Sequence, residues 1–245
     1  MRIAFAGNPN SGKTTMYNAL TGRNEKVGNW AGVTVDKKEA PIKSAYAGGR
    51  ELIAVDLPGA YSMSPFTSEE SVTRDYVMKE QPDAIINIVD ATNLSRSLFF
   101  TTQLLELGIP TVVALNKTDL TRKKKTVIDV AALSHALGCP VLETVSTDFN
   151  QDDLVQVLRA AVDASGKSQK APYIQETIDL TDKAAVQTAD RKRFSFVNNI
   201  VRKVETRKVK TRDVNFQDKM DVILTHPVIG LGIFALVMFL VFDIS

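Results

Sequence analysis

The octapeptide Gly7-Asn8-Pro9-Asn10-Ser11-Gly12-Lys13-Thr14 constrains the fold of this chain more than any other stretch. It has the form G-x-x-x-x-G-K-[ST] and lies between an apolar run, Ile3-Ala4-Phe5-Ala6, and a helical pattern from Thr14 to Leu20. Strand, glycine-rich loop and helix in that order build an anion cradle. Gly7 and Gly12 let successive N–H groups turn inward, and the helix N-terminus adds partial positive charge. Lys13 brings a full charge to β- and γ-phosphates, and the Thr14 hydroxyl is a natural Mg²⁺ ligand. Asn8, Asn10, Ser11, Gly12 and Thr15 complete the expected phosphate-binding set.

Two later motifs fit the same sheet. Asp56-Leu57-Pro58-Gly59 follows the strand-like run 52–55, which puts a carboxylate beside the metal and lets the Gly59 N–H approach the γ-phosphate. Asn116-Lys117-Thr118-Asp119 ends the apolar run 111–115. Asp119 can accept from guanine N1–H and from its exocyclic amine, a donor pair that adenine lacks. Sites built on such pairs discriminate by roughly 10⁴–10⁵-fold. Asn116 contacts the purine and braces the phosphate loop, and the Lys117 stem covers the ring face. Ser146-Thr147, after the short run 140–143, is the expected loop that completes the base pocket. The ligand class is therefore GTP or GDP.

The first 165 residues alternate strand and helix patterns. Strands are expected near 3–7, 35–44, 51–56, 84–90, 110–116 and 140–144, and helices near 13–21, 68–79, 95–107, 127–138 and 151–163. Ala47-Gly48-Gly49-Arg50 reads as a hairpin turn between the second and third strands. The other connections need crossover helices, so the expected fold is a Ras-like α/β domain with a mostly parallel six-stranded sheet. Ligand loops then gather at the strand C-termini. Cys139 is the only cysteine, which excludes an internal disulfide and suits a reducing cytoplasm. His135 and His226 share no metal-ligand spacing, and Met1-Arg2 leads into the first strand without a signal peptide.

Residues 164–170 read as a linker. Beyond it Phe194, Val197, Ile200, Val201 and Val204 recur at helical spacing among basic residues. From Val228 to Phe242 the chain carries no polar side chain. As a helix this run would span about 22 Å of a roughly 30 Å hydrocarbon core. It follows a basic stretch, as the positive-inside rule expects. The expected division is a G domain over 1–165, a helical and juxtamembrane segment over 166–226, and the start of a transmembrane helix over 227–245.

The chain resembles the N-terminal cytoplasmic region of the FeoB family of prokaryotic ferrous-iron transport proteins. The likeness rests on Gly7 to Thr14, on Gly28-Asn29-Trp30-Ala31-Gly32-Val33-Thr34-Val35, on Asp56 to Ser62, and on Thr225-His226-Pro227 entering the apolar run. The resemblance implies a G domain, a helical domain that favours bound GDP, and a membrane domain whose Fe²⁺ uptake follows nucleotide state. It implies that Thr34, in a first switch over 23–36, closes onto Mg²⁺ when the γ-phosphate is present; a second switch would run from Asp56 to about Glu70. It places this region on the cytoplasmic side of the inner membrane. Its implied partners are that membrane domain, the bilayer, small accessory iron-transport proteins and further copies of itself. No nucleic acid is expected, because basic residues 191–212 lack aromatic interleaving suited to base stacking.

Ala60 and Tyr61 follow Gly59 where Ras-type enzymes carry a water-orienting glutamine, and Arg74 is the candidate arginine of the second switch. Turnover of about 10⁻⁴–10⁻² s⁻¹ is expected. Asn10, Lys13, Thr34 and Gly59 form the expected catalytic set, with Thr14, Thr34 and Asp56 on Mg²⁺. GTPases similar in carrying asparagine at position 10 hold K⁺ there, with first-switch carbonyls near Gly28 to Trp30, and this K⁺ does the work of an arginine finger. A soluble potassium-dependent GTPase of RNA or ribosome assembly, and a switch module with negligible catalysis, are the alternatives.

Overall fold

A computed structural model describes residues 1–22, 26–29, 36–63, 67–145, 151–167 and 182–207, with Ala171 and Phe239 as isolated positions. Thr34, Ser146, Thr147, most of the first switch, His226 and nearly all of the apolar run 228–242 lie outside these residues. Among the described residues, no helix is long and apolar enough to cross a membrane.

In chain order the elements are β1 (Arg2–Gly7), α1 (Lys13–Thr21), β2 (Lys26–Asn29), β3 (Asp36–Pro41), α2 (Ser44–Ala47), β4 (Ile53–Asp56), α3 (Ser68–Glu80), β5 (Ala84–Asp90) and α4 (Leu94–Glu106). They continue with β6 (Thr111–Asn116), α5 (Thr118–Lys123), β7 (Thr126–Ile128), α6 (Val130–Leu137), β8 (Val141–Glu143), α7 (Gln151–Ala164), α8 (Lys183–Val204) and β9 (Glu205–Arg207). The main sheet has the order β2-β3-β4-β1-β5-β6-β8. β1 pairs in parallel with β4 and β5, as β6 does with β5 and β8. β3 alone runs against the rest, pairing antiparallel with both β2 and β4.

The sheet thus has seven strands where six were expected. The addition is β2, whose Lys-Val-Gly-Asn sequence has no apolar alternation and is held by edge pairing with β3. The expected tight hairpin between β3 and β4 is instead a longer connection. One helical turn, α2, comes first, and left-handed Gly48 (φ 57°) and Gly49 (φ 77°) then reverse the chain. The helix expected over 127–138 starts only at Val130, because the Asp129 carboxylate accepts from the Ala132 N–H at 2.9 Å and caps it there. The residues before Asp129 form β7, which pairs with β9.

Alternation along β1 divides the core. Ile3 and Phe5 join Met16, Tyr17 and Leu20 of α1 and Leu154, Val157 and Leu158 of α7. Ala4 and Ala6 face the opposite way, with Tyr76 and Val77 of α3 and Phe100 and Leu104 of α4. A third cluster seats Val197, Ile200 and Val204 of α8 on α4 and α6. The chain separates into compact units at Met1–Thr206 and Arg207–Ser245, and α8 belongs to the first. α8 is locked to α4 by Arg193, whose Nε and Nη2 donate to the Glu106 carboxylate at 2.9 and 2.8 Å.

Cys139 belongs to the third cluster, 4% exposed, and burial pushes its thiol up to about 12. Thiolate is the reactive form. At pH 8 the folded chain should therefore leave a chromogenic disulfide reagent almost untouched, and should react promptly in denaturant. Fast titration of the native protein would contradict that burial.

Candidate functional site

β1 ends at Gly7, where a side chain cannot fit: a Cβ would lie 2.6 Å from the Ile88 carbonyl oxygen and 2.8 Å from Ser11 Oγ. The chain then winds through Asn10 (φ 62°) and Gly12 (φ 96°), both left-handed, before α1 begins. That path encloses a cavity of roughly 400 Å³ lined by Asn8, Pro9, Asn10, Gly12, Lys13, Thr14, Thr15 and Gly59. A Cβ on Gly59 would stand 3.1 Å from Pro9 Cα, so glycine is what lets the 56–59 segment lie flush against the phosphate loop. Seven residues of the expected phosphate-binding and catalytic set therefore share one cavity.

Lys13 is buried, and its ammonium is paired with Asp56 Oδ1. Burial lowers its pKa; the neighbouring Asp56 charge and hydrogen bond oppose that, and Lys38 adds to it. Thr14 Oγ1 lies 3.3 Å from Asp56 Oδ2. A hydroxyl and a carboxylate converging on the rim of an anion cradle are the hard oxygen donors that Mg²⁺ takes, so these residues fit the ion. Asn8 Oδ1 and Ser11 Oγ are buried and accept no hydrogen bond from any described residue.

The 116–119 motif is stapled to this loop. Asn116 is fully buried, donates from Nδ2 to the Ser11 carbonyl at 2.8 Å and accepts from Thr144 Oγ1 at 3.5 Å. Lys117 adopts a left-handed backbone (φ 64°), and its Nζ donates to the Asn10 carbonyl and to Asp90 Oδ2, each at 2.6 Å. Asp119 stands in the first turn of α5, its side chain 30% exposed, with Lys123 Nζ 3.8 Å away. Its carboxylate is therefore partly open to solvent.

Sequence reasoning missed four participants. Asp90 anchors Lys117 and accepts from the Thr92 N–H at 2.9 Å. Its position at the C-terminal end of β5, between two ligand-bearing strands, was a usable signal. Thr144 supports Asn116 but carries no motif. Arg96 and Gln103 of α4 reach the segment after Gly59, Arg96 over the Tyr61 ring at 4.1 Å and Gln103 at Met63. Their helical spacing looks like any amphipathic helix.

Residues 1–160 match the family described as ferrous iron transport protein B. The chain belongs to that family. It is 46% identical over 167 residues to the Fe(2+) transporter FeoB of Salmonella typhimurium, covering 66% of this chain and 21% of the relative. It is 42% identical over 192 residues to the Fe(2+) transporter FeoB of Escherichia coli K12, covering 76% of this chain and 24% of the relative. The chain thus spans about a quarter or less of these relatives' length. Among solved structures it is similar to a GDP-bound mutant of the S. thermophilus FeoB G-domain: the TM-score is 0.71 at 31% identity, over 84% of this chain and 100% of that one. The family's G domain is thus the fold on which the two stapled motifs stand.

Proposed function

We propose that this chain binds GTP with Mg²⁺ and hydrolyses it slowly, and that its nucleotide state governs Fe²⁺ uptake by a larger membrane protein of which it is the cytoplasmic head. The attachment of the guanine-reading motif to the phosphate loop carries this reading, through the Asn116–Ser11 and Lys117–Asn10 contacts. It holds the two ends of one nucleotide at a fixed spacing. Iron comes only from the family, and the coupled transport step rests on the same ground.

In this reading Asp119 selects guanine, and the Lys117 stem lies along the base. The loop N–H groups between Gly7 and Thr14 hold the phosphate oxygens, and Lys13 exchanges its Asp56 partner for them. Thr14 and Asp56 would hold Mg²⁺, Thr34 joining them in the GTP state; the ion would neutralise charge shared by the β- and γ-phosphates. Gly59 offers its N–H to the γ-phosphate. Ser146 and Thr147 close the base pocket. A switch follows because Thr34 and Gly59 gain contacts only when the γ-phosphate is present.

Release of inorganic phosphate from GTP and from ATP, each in K⁺ and in Na⁺, tests the core of the proposal. Slow release from GTP alone is expected, and equal turnover of ATP would refute the assignment of Asp119. Asn10 supports a K⁺ site, because its left-handed backbone puts an exposed side-chain amide, bonded to no other described residue, at the cavity mouth. Asn10→Ala should abolish the stimulation by K⁺ and leave GDP affinity within about threefold of wild type, since an exposed amide adds only a modest net contribution. Persisting stimulation would remove Asn10 from that role.

A further inference from the structure

Each residue from Leu57 to Met63 is held by a contact with another part of the fold. The Leu57 N–H donates to the Phe5 carbonyl at 3.1 Å, and Thr73 Oγ1 donates to the Pro58 carbonyl at 3.2 Å. Gly59 rests on Pro9, and the Ala60 N–H donates to the Gly7 carbonyl at 3.2 Å. The last three residues are all held by α4. Arg96 stacks its guanidinium 4.1 Å over the Tyr61 ring, Gln103 Nε2 donates to Ser62 Oγ at 3.2 Å, and the Met63 N–H donates to Gln103 Oε1 at 2.8 Å.

Packing alone does not ask for these side chains. Gln103 is 5% exposed, between the buried Thr102 and Leu104, and an amide buried there is unfavourable unless both ends find partners. It finds both in residues 62–63. α4 itself is tied beneath the phosphate loop, because Thr101 Oγ1 donates to Asn87 Oδ1 at 2.6 Å and Asn87 Nδ2 donates to the Ala6 carbonyl at 3.3 Å. The Arg96 carbonyl accepts from Asn8 Nδ2 of the loop at 3.4 Å. One helix therefore sets the distance between the phosphate loop and the segment after Gly59.

We propose that Gln103, with Arg96 in support, is a positioning residue for GTP hydrolysis: it holds residues 61–63 so that Gly59 stays in the wall of the phosphate cavity. This rests on the GTPase reading above. Neither side chain lines that cavity, so each acts through the backbone it holds. Misplacing a γ-phosphate donor by about 1 Å can cost on the order of 10²-fold in rate.

The test compares kcat, KM for GTP, GDP affinity and thermal midpoint for wild type, Gln103→Leu, Gln103→Glu and Arg96→Ala. Gln103→Leu removes both bonds while keeping similar bulk, and kcat should fall about tenfold or more. KM and GDP affinity should stay within about twofold, since residues 61–63 touch neither base nor β-phosphate in this reading. Gln103→Glu keeps the acceptor for Met63 N–H and should recover most of the loss. Arg96→Ala leaves the carbonyl bond to Asn8 and should lower kcat by about threefold, as the loss of an exposed cation–π contact allows. Unchanged kcat in Gln103→Leu, against a wild type that hydrolyses GTP, overturns this proposal alone. So does a Gln103→Glu variant as impaired as Gln103→Leu with GDP affinity and midpoint falling together, which marks a structural role only. A wild type that hydrolyses no GTP overturns the functional reading, and this proposal with it.

Discussion

Asp119→Asn should move the nucleotide preference of this chain from guanine to xanthine. Guanine presents N1–H and an amine, both donors, to a carboxylate that accepts twice. An asparagine still accepts from N1–H but offers N–H to position two, where xanthine carries a carbonyl. Because the mismatch leaves a polar group unpaired on each side, the swing should reach roughly 10³–10⁴-fold, short of the limit for sites of this kind because Asp119 is partly exposed. Titration with fluorescent GDP and XDP analogues reads it directly. If the variant loses both nucleotides equally, α5 has been disturbed and Asp119 was not reading the base.

Asp56→Ala should have the largest effect on stability. Lys13 and Asp56 are paired, with side chains 9% and 7% exposed. Removing only the carboxylate leaves an ammonium buried without its counter-charge, which typically costs about 3–5 kcal/mol. The lower end applies, because burial already lowers the Lys13 pKa and deprotonation offers a partial escape. Urea unfolding of the nucleotide-free chain should show a clearly lower midpoint. The double variant Lys13→Met with Asp56→Leu should recover much of that loss and bind no nucleotide, since a well-packed apolar pair avoids the desolvation altogether. A single variant with the wild-type midpoint would mean that the pair contributes nothing to the resting fold.

The sequence was most legible where the backbone has few options. The phosphate loop announced itself because Gly7 admits no side chain and Gly12 needs a left-handed turn. α1 was read at its observed bounds because Gly12 and Gly22 bracket it, and β5 because an apolar run between Asp83 and Asp90 has one reading. β2 was invisible: its four residues owe their extended form to β3 and not to their own pattern. α5 and β7 were missed because elements this short carry less than two turns or two pleats of periodicity. Within the site, Lys13, Thr14, Asp56, Asn116 and Lys117 are brought together from three separate motifs. Asp90 and Gln103 belong to no motif, and their roles come from which strand end or helix turn the fold brings near. Such tertiary neighbours are not written in local spacing.

The Asn116 and Lys117 staple also sets how the ligand is captured. In the proposed reading, two half-sites, one for a base and one for phosphates, are joined by these two hydrogen bonds. A ligand that reaches both engages the second at an effective concentration far above its bulk value. Guanosine alone, or pyrophosphate alone, would then be held loosely, while the nucleotide joining them is held far more tightly than either piece. Severing the diphosphate link between the two halves would cost more affinity than deleting any one contact.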